Sequence, residues 1–193
     1  MSEKRYKWRR EDYREQTKGL LMLNTGDGKG KTTAAIGTMV RAAGRGLKCC
    51  MVQFMKSKTD RYGEHESLEK LGIEVHTMGD GFTWDTNDKY QDIKTSKATW
   101  QLCVEKMRSS EYELLVFDEL LYVLSYGFLD IDEVINEIRE VRSTQPHLHL
   151  ILSGRDVDDA LAKLIDYADL VTEMKEIKHP FNAGIYAQQG IEF

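Results

Sequence analysis

Short apolar runs alternate along the chain with longer stretches of helical periodicity, beginning at Gly19. Apolar runs of this length, bounded by polar residues, indicate buried strands, and the stretches between them are long enough for crossover helices. We predict strands at residues 20–24, 47–53, 73–76, 114–117, 147–153 and 170–174. Strands that alternate with helices favour an α/β fold with a mostly parallel central sheet and helices on both faces.

The first crossover helix is predicted from apolar positions that recur at helical spacing between the first two strands. These positions are Ile36, Met39, Val40, Ala43 and Leu47. Such a stripe can lie against the sheet. Gly44 and Gly46 should end the helix, because glycine is the commonest residue just past a helix C-terminus.

The first 18 residues differ from the rest of the chain. They are dense in charge, carry Tyr6, Trp8 and Tyr13, and contain no Gly or Pro. We predict a helical arm at residues 1–18, although a frayed terminus is the better interpretation of the first few residues. Residues 19–193 should form a single α/β domain, because a chain of 193 residues can build one sizeable core.

Composition narrows the classes of function. A formal net charge of -5 argues against a broad grip on nucleic acid, which requires a basic face. The longest apolar runs are far shorter than the roughly 20 residues of a membrane helix. The N-terminus shows no secretory signal, and the three cysteines lack the spacing of a metal or redox motif. We therefore expect a cytoplasmic protein that binds neither nucleic acid nor membrane.

A phosphate-binding loop is predicted where the first strand runs directly into the first helix. Its residues are Thr25, Gly26, Asp27, Gly28, Lys29, Gly30, Lys31, Thr32 and Thr33. The glycines let backbone N–H groups face phosphate oxygens, the lysine at position 31 supplies a charge, and the hydroxyl at position 32 can ligate Mg²⁺. The strict Walker A pattern has Gly where this chain has Thr25. The strand–loop–helix context still indicates a nucleotide-binding loop.

A second motif follows the fourth predicted strand, which ends in Asp118 and Glu119. An acid pair after a strand is typical of a helix start, because acids stabilise the first turn of a helix. Paired with a Walker A loop, the same two acids favour a metal site of the Walker B type, in which Asp118 holds magnesium.

Two large aromatic residues, Phe82 and Trp84, lie in a glycine-rich loop after the third predicted strand. Aromatic residues are most often buried in a core, and that interpretation is as good as a catalytic one when the loop is considered alone. A phosphoryl-transfer enzyme has no evident use for them, since it needs a positioned acceptor and a base.

Several segments, in this order, resemble the P-loop family of ATP:corrinoid adenosyltransferases. They are TGDGKGKTT at 25–33, QFMK at 53–56, GFTW at 81–84, DE at 118–119, SGR at 153–155, ADLVTEM at 168–174, KHPF at 178–181 and GIYAQQGIEF at 184–193. Together they extend from about Gly19 to the C-terminus. Several of them are not general features of P-loop proteins, so the resemblance is specific.

The resemblance implies a RecA-like P-loop fold and the transfer of the 5′-deoxyadenosyl group of ATP to Co(I) of a corrinoid, with release of triphosphate. It implies ATP as co-substrate, Mg²⁺ or Mn²⁺ held by Thr32 and Asp118, and ATP lying in reverse along the loop. The catalytic residues that it implies are Lys31, Phe82, Trp84 and Glu119. The acid at position 119 would touch either the metal or the ribose, and Arg155 would contact phosphate or nucleotide.

In this family the aromatic pair would exclude the axial donor of Co(II), which eases reduction to Co(I). The resemblance also implies a homodimer, an N-terminal arm over the corrinoid, and an electron-donating flavoprotein such as flavodoxin. Two other functions fit the P-loop alone. A nucleotide or small-molecule kinase would yield ADP, and a non-catalytic ATP-dependent switch protein would ignore corrinoids.

Overall fold

A computed structural model describes residues 17–57, 59, 62–79, 88–157 and 159–192. Its strands are β1 (Leu21–Thr25), β2 (Cys49–Ser57), β3 (Glu74–Gly79), β4 (Leu114–Asp118), β5 (His149–Ser153) and β6 (Leu170–Glu173). Its α-helices are α1 (Lys31–Ala43), α2 (Gly63–Lys70), α3 (Lys89–Arg108), α4 (Leu120–Ser125), α5 (Ile131–Thr144) and α6 (Ala162–Tyr167). A short 3₁₀ helix, Pro180–Ala183, follows β6.

The six strands form one sheet in the order β3-β2-β4-β5-β1-β6. Every pair of neighbours is parallel, so the carboxyl ends of all strands lie along one edge of the sheet. The predicted parallel sheet is confirmed, and so is each of the six predicted strands. The N-terminal arm predicted at 1–18 lies outside the described residues except for Thr17 and Lys18.

Both faces of the sheet are covered by helices, as predicted. Helices α1 and α2 pack on one face through Ala35, Met39 and Leu68. Helices α3 to α6 pack on the other face, where Phe117 is among the largest fully buried side chains. The alternation of side chains along each strand therefore supplies two apolar cores.

Two details of the prediction are wrong. Strand β2 continues past the predicted end at residue 53, because the apolar side chains of Phe54 and Met55 remain buried. In α1 the side chain of Val40 is 43% exposed, whereas Ala35, which the predicted stripe omits, is fully buried. Compared with the predicted stripe, the buried face of the helix is rotated about the helix axis. Its first residue, Lys31, is also buried, beneath the loop.

None of the helices in the described part of the chain is both long enough and apolar enough to span a membrane. The three cysteines are all buried as free thiols. Burial raises the pKa of the Cys50 thiol to about 12, which makes its reactive thiolate form scarce at neutral pH.

Candidate active site

The loop between β1 and α1 has the backbone geometry of a phosphate cradle. Gly26 and Gly30 have φ angles of 94° and 113°, a region that is costly for residues with a side chain. A Cβ atom on Gly26 would lie 2.5 Å from the carbonyl oxygen of Met174. The N–H of Gly28 donates to the same oxygen at 2.6 Å. The loop is therefore held against the segment that follows β6.

Lys31 folds back over this loop. Its Nζ donates to the carbonyl oxygens of Gly26 and Gly28, at 2.7 and 2.8 Å. Burial lowers the pKa of the Lys31 ammonium, while the nearby carboxylate of Glu119 acts in the opposite direction. An ammonium whose hydrogen bonds go to neutral carbonyl groups can be recruited by phosphate, because a charged acceptor makes the stronger bond.

The carboxylate of Asp118 lies at the carboxyl end of β4 and is fully buried. Its Oδ1 accepts hydrogen bonds from Thr32 Oγ1 at 2.8 Å and from Ser153 Oγ at 2.6 Å. Its Oδ2 accepts from Gln53 Nε2 at 3.2 Å. A hydroxyl and a carboxylate in contact beside a phosphate loop are hard oxygen donors, so these residues fit a magnesium ion.

Glu119 is the N-terminal capping residue of α4, but its side chain makes no capping hydrogen bond. It immediately precedes α4, with a φ of 64°, and its N–H donates to Ser153 Oγ at 3.1 Å. Its Oε2 is buried and has no hydrogen-bond partner among the described residues. Burial, and then the neighbouring Asp118 carboxylate, raise the pKa of Glu119 to about 7. A strained backbone and an unsatisfied carboxyl oxygen are typical of a functional site.

A cavity of about 710 Å³ opens between the loop, α2 and the C-terminal segment. Cations around it pair with acids. The Nζ of Lys29 lies 2.5 Å from Glu192 Oε2, and the Nε of Arg155 lies 3.9 Å from Asp27 Oδ1. Lys56 pairs with Glu64 of α2 and lies over the Tyr62 ring, 4.4 Å from its centroid. The cavity has the size of a small-molecule site and the charges that an anionic ligand would engage.

The structure therefore brings together most of the residues predicted for the site. Lys31, Glu119 and Arg155 line the same cavity as the loop residues from Asp27 to Thr33. Thr25 is buried at the end of β1, and Gly26 contributes its carbonyl oxygen to Lys31. Phe82 and Trp84 lie outside the described residues.

The prediction from sequence missed several residues of the site. Lys56, Glu64 and Glu192 reach the cavity from distant parts of the chain. Lys56 and Glu192 lie in segments that carry the family resemblance, but no role was predicted for either residue. A usable signal did exist for Gln53 and Ser153. Each is a polar residue in a strand whose other residues are mostly apolar, and each is fully buried, which requires a polar partner.

Comparisons with known proteins agree with this geometry. The family model for ATP:corrinoid adenosyltransferase BtuR/CobO/CobP matches residues 17–193. A corrinoid adenosyltransferase of Sinorhizobium is 41% identical over 180 residues, covering 91% of this chain and 81% of that protein. A corrinoid adenosyltransferase of Escherichia coli strain K12 is 36% identical, and the alignment covers 100% of both chains.

Among solved structures, the flagellar accessory protein FlaH from Methanocaldococcus jannaschii has a TM-score of 0.58 at 10% sequence identity. The match covers 81% of this chain and 71% of that chain. A likeness at this identity concerns the fold alone. It agrees with the RecA-like α/β fold that was predicted from the sequence.

Proposed function

Because this chain belongs to the ATP:corrinoid adenosyltransferase family, we propose that the cavity beside the phosphate loop is where it transfers the adenosyl group. The observation that carries the proposal is the contact of Thr32 Oγ1 with Asp118 Oδ1 at 2.8 Å, with Lys31 and Thr32 both lining the cavity. A charge, a loop of backbone N–H groups and a pair of hard oxygen donors converge there, as a polyphosphate requires.

The reaction places few demands on acid–base groups. The electron pair of Co(I) forms a bond to C5′ of ATP while the C5′–O bond breaks, and the electrons of that bond leave with triphosphate. No proton is removed from the nucleophile, so the site needs neither a nucleophilic side chain nor a general base. It must orient C5′ towards cobalt and stabilise the charge that develops on the departing oxygen.

The residues of the loop are suited to those two tasks. Lys31 can transfer its hydrogen bonds from the carbonyl groups of Gly26 and Gly28 to triphosphate oxygens. Thr32 and Asp118 would hold Mg²⁺ or Mn²⁺. The bound cation neutralises charge on the leaving group. Asp27, Lys29, Arg155 and the remaining loop residues would bind nucleotide, with ATP lying in reverse along the loop.

Replacing Thr32 with Val tests the metal role. The change removes a ligand oxygen at nearly constant volume, so half-maximal activity should need at least about tenfold more Mg²⁺. The matched control is Thr38→Val on the same helix, where Oγ1 donates to the Ala34 carbonyl oxygen at 3.0 Å. Rates are measured over a Mg²⁺ titration at saturating ATP. An equal Mg²⁺ requirement in the wild type and the Thr32 variant would reject Thr32 as a ligand.

On the family resemblance, we propose that Phe82 and Trp84 exclude the axial donor of Co(II). We further propose that a flavoprotein such as flavodoxin in the cytoplasm donates the electron that reduces Co(II) of the corrinoid to Co(I). A homodimer is supported by the exposed apolar side chains of edge strand β6 and the segment after it, including Leu170, Val171 and Phe181. Sedimentation of the purified protein as a monomer at micromolar concentration would reject the homodimer.

The N-terminal arm is proposed to cover the corrinoid. The part of the arm that the structure describes ends in Lys18, whose Nζ pairs with Asp169 Oδ1 at 2.6 Å. The role of the arm over the corrinoid rests on the family resemblance.

Deleting residues 1–17 should leave ATP affinity unchanged, because the phosphate loop and its ion pairs remain. Corrinoid KM should rise by about tenfold or more, since the contacts of the arm with the corrinoid are lost. Isothermal titration with ATP and steady-state kinetics with corrinoid separate the two effects. An unchanged corrinoid KM and kcat would make the arm dispensable for this reaction.

A further inference from the structure

A row of polar side chains, buried at Gln53 and Asp118 and half-buried at Thr77, crosses three neighbouring strands behind the proposed metal site. The register of the sheet pairs Gln53 of β2 with Thr77 of β3 on one side and with Asp118 of β4 on the other. Gln53 is fully buried between the apolar residues Val52 and Phe54 of its strand. A buried amide at such a position is stable only if its hydrogen bonds are made.

The orientation of the Gln53 amide follows from its partners. The Asp118 carboxylate can only accept, so the amide must direct its Nε2 towards Asp118 Oδ2, at 3.2 Å. Its Oε1 then faces the other way and accepts from Thr77 Oγ1 at 3.0 Å. The same Oε1 lies 2.7 Å from His65 Nε2.

The orientation of the Gln53 amide in turn determines which ring nitrogen of His65 carries a proton. Because Gln53 Oε1 is an acceptor, His65 must carry a proton on Nε2. Its Nδ1 accepts from the backbone N–H of Tyr62 at 3.4 Å, so the neutral ring has a single tautomer that satisfies both contacts. His65 belongs to the first turn of α2, and the neighbouring Gly63 and Glu64 line the cavity.

We infer that Gln53 is a positioning residue for Asp118 and that His65 holds Gln53 in the required orientation. By binding Oδ2, Gln53 leaves Oδ1 directed at Thr32, where the cation would be held. Through His65, Gln53 and Asp118, hydrogen bonds also connect helix α2, which forms one wall of the cavity, to the proposed metal site. This inference rests on the proposed metal role of Asp118. Groups that orient metal ligands in this way commonly change metal affinity by 10- to 100-fold.

The test measures binding of Mn²⁺ to the protein–ATP complex by electron paramagnetic resonance, without corrinoid and without turnover. Gln53→Met keeps the side-chain length but removes the amide, and should weaken Mn²⁺ binding by about tenfold or more. Binding of ATP in the absence of metal should change by less than about twofold. Undiminished Mn²⁺ affinity in folded Gln53→Met would overturn the inference.

Gln145→Met is the matched control. It makes the same substitution at a glutamine that donates to the Met107 carbonyl at 2.7 Å, far from the loop in sequence, and should leave Mn²⁺ affinity unchanged. Asp118→Asn separates this inference from the proposed function. Weakened Mn²⁺ binding in Asp118→Asn together with normal binding in Gln53→Met rejects only the positioning role. Normal binding in both variants rejects the metal role of Asp118 as well.

If Gln53→Met does not fold, a second pair of variants tests whether His65 and Gln53 position Asp118. His65→Leu removes the donor to Gln53 Oε1 and should weaken Mn²⁺ binding several-fold. His65→Gln restores an N–H donor at that position and should recover most of the affinity. Equal Mn²⁺ affinity in the two histidine variants would contradict the proposed role of His65. A residue that acts only by packing would not make Mn²⁺ affinity depend on whether its replacement carries an N–H donor.

Discussion

Replacing Lys31 with Ala should lower kcat/KM for adenosyl transfer by about 100- to 1000-fold, the usual effect of removing a group that stabilises developing negative charge. The physical reason is that the departing triphosphate loses its only buried ammonium partner among the described residues of the loop. The fold should persist, because the Lys31 side chain contributes hydrogen bonds to two loop carbonyls and little apolar packing. The assay follows adenosylcobalamin formation from chemically reduced cobalamin.

The control for this variant is Lys163→Ala. Lys163 pairs with Asp132 at 2.6 Å on the surface of the protein, and both side chains are exposed. Loss of that pair should change neither rate nor thermal stability appreciably. Wild-type turnover in the Lys31 variant would refute the function assigned to the loop. A collapse of thermal stability would instead indicate a structural role for Lys31.

Changing both Phe82 and Trp84 to Ala should separate redox assistance from ordinary packing. If these residues exclude the axial donor, Co(II) in the double variant keeps that donor and a biological reductant fails to generate Co(I). Adenosylcobalamin formation with reduced flavoprotein should then fall at least tenfold, equivalent to about 1.4 kcal/mol. With Co(I) prepared beforehand by a strong chemical reductant, the rate should recover to within about twofold of wild type, a difference of about 0.4 kcal/mol.

The same double variant allows a spectroscopic check. The wild-type complex with Co(II) corrinoid and ATP should give a four-coordinate signal in electron paramagnetic resonance, and the variant should lack it. Damage to a core would lower both rates together and would also lower the melting temperature. An equal loss of rate with the two reductants, or an undiminished four-coordinate signal, would indicate that Phe82 and Trp84 only pack in the core.

The strands were predictable because the pattern of apolar runs is local. Central parallel strands such as β2 and β4 are buried on both faces and appear as apolar segments. Each predicted segment, including that of the exposed edge strand β6, corresponds to a strand. The end of β2 shows the limit of this reasoning. Gln53 interrupts the apolar pattern, which therefore predicts the end of the strand there, although Gln53 lies inside the sheet facing Asp118. A polar residue with a buried partner cannot be distinguished from a strand end by hydropathy alone.

The candidate site was predictable only where its residues are contiguous. The loop and the acid pair each occupy one segment, so their chemistry can be inferred from spacing. The ion pair of Lys29 with Glu192 joins residues 163 positions apart. The sequence around either residue does not predict its partner. The raised pKa of Glu119 also has no local signal, because it arises from burial and from the Asp118 carboxylate. Such features depend on the folded geometry.

Val40 illustrates a different limit. The apolar positions of α1 occur at helical spacing, but the position of the loop at the start of the helix sets the rotation of its face. The buried line runs through Lys31, Ala35 and Met39, four residues apart, and leaves Val40 43% exposed. Helical spacing alone does not determine which of the neighbouring apolar positions face the core.

The fate of the C5′ carbon of ATP tests the central claim most directly. ATP labelled with ¹³C at C5′ is incubated with the protein, Mg²⁺ and chemically prepared cob(I)alamin, and the products are examined by ¹³C and ³¹P NMR. The account predicts a light-sensitive corrinoid with the labelled carbon bonded to cobalt, and one intact triphosphate for each adenosyl group transferred. Formation of ADP with the label retained in the nucleotide, and an unlabelled corrinoid, would contradict it.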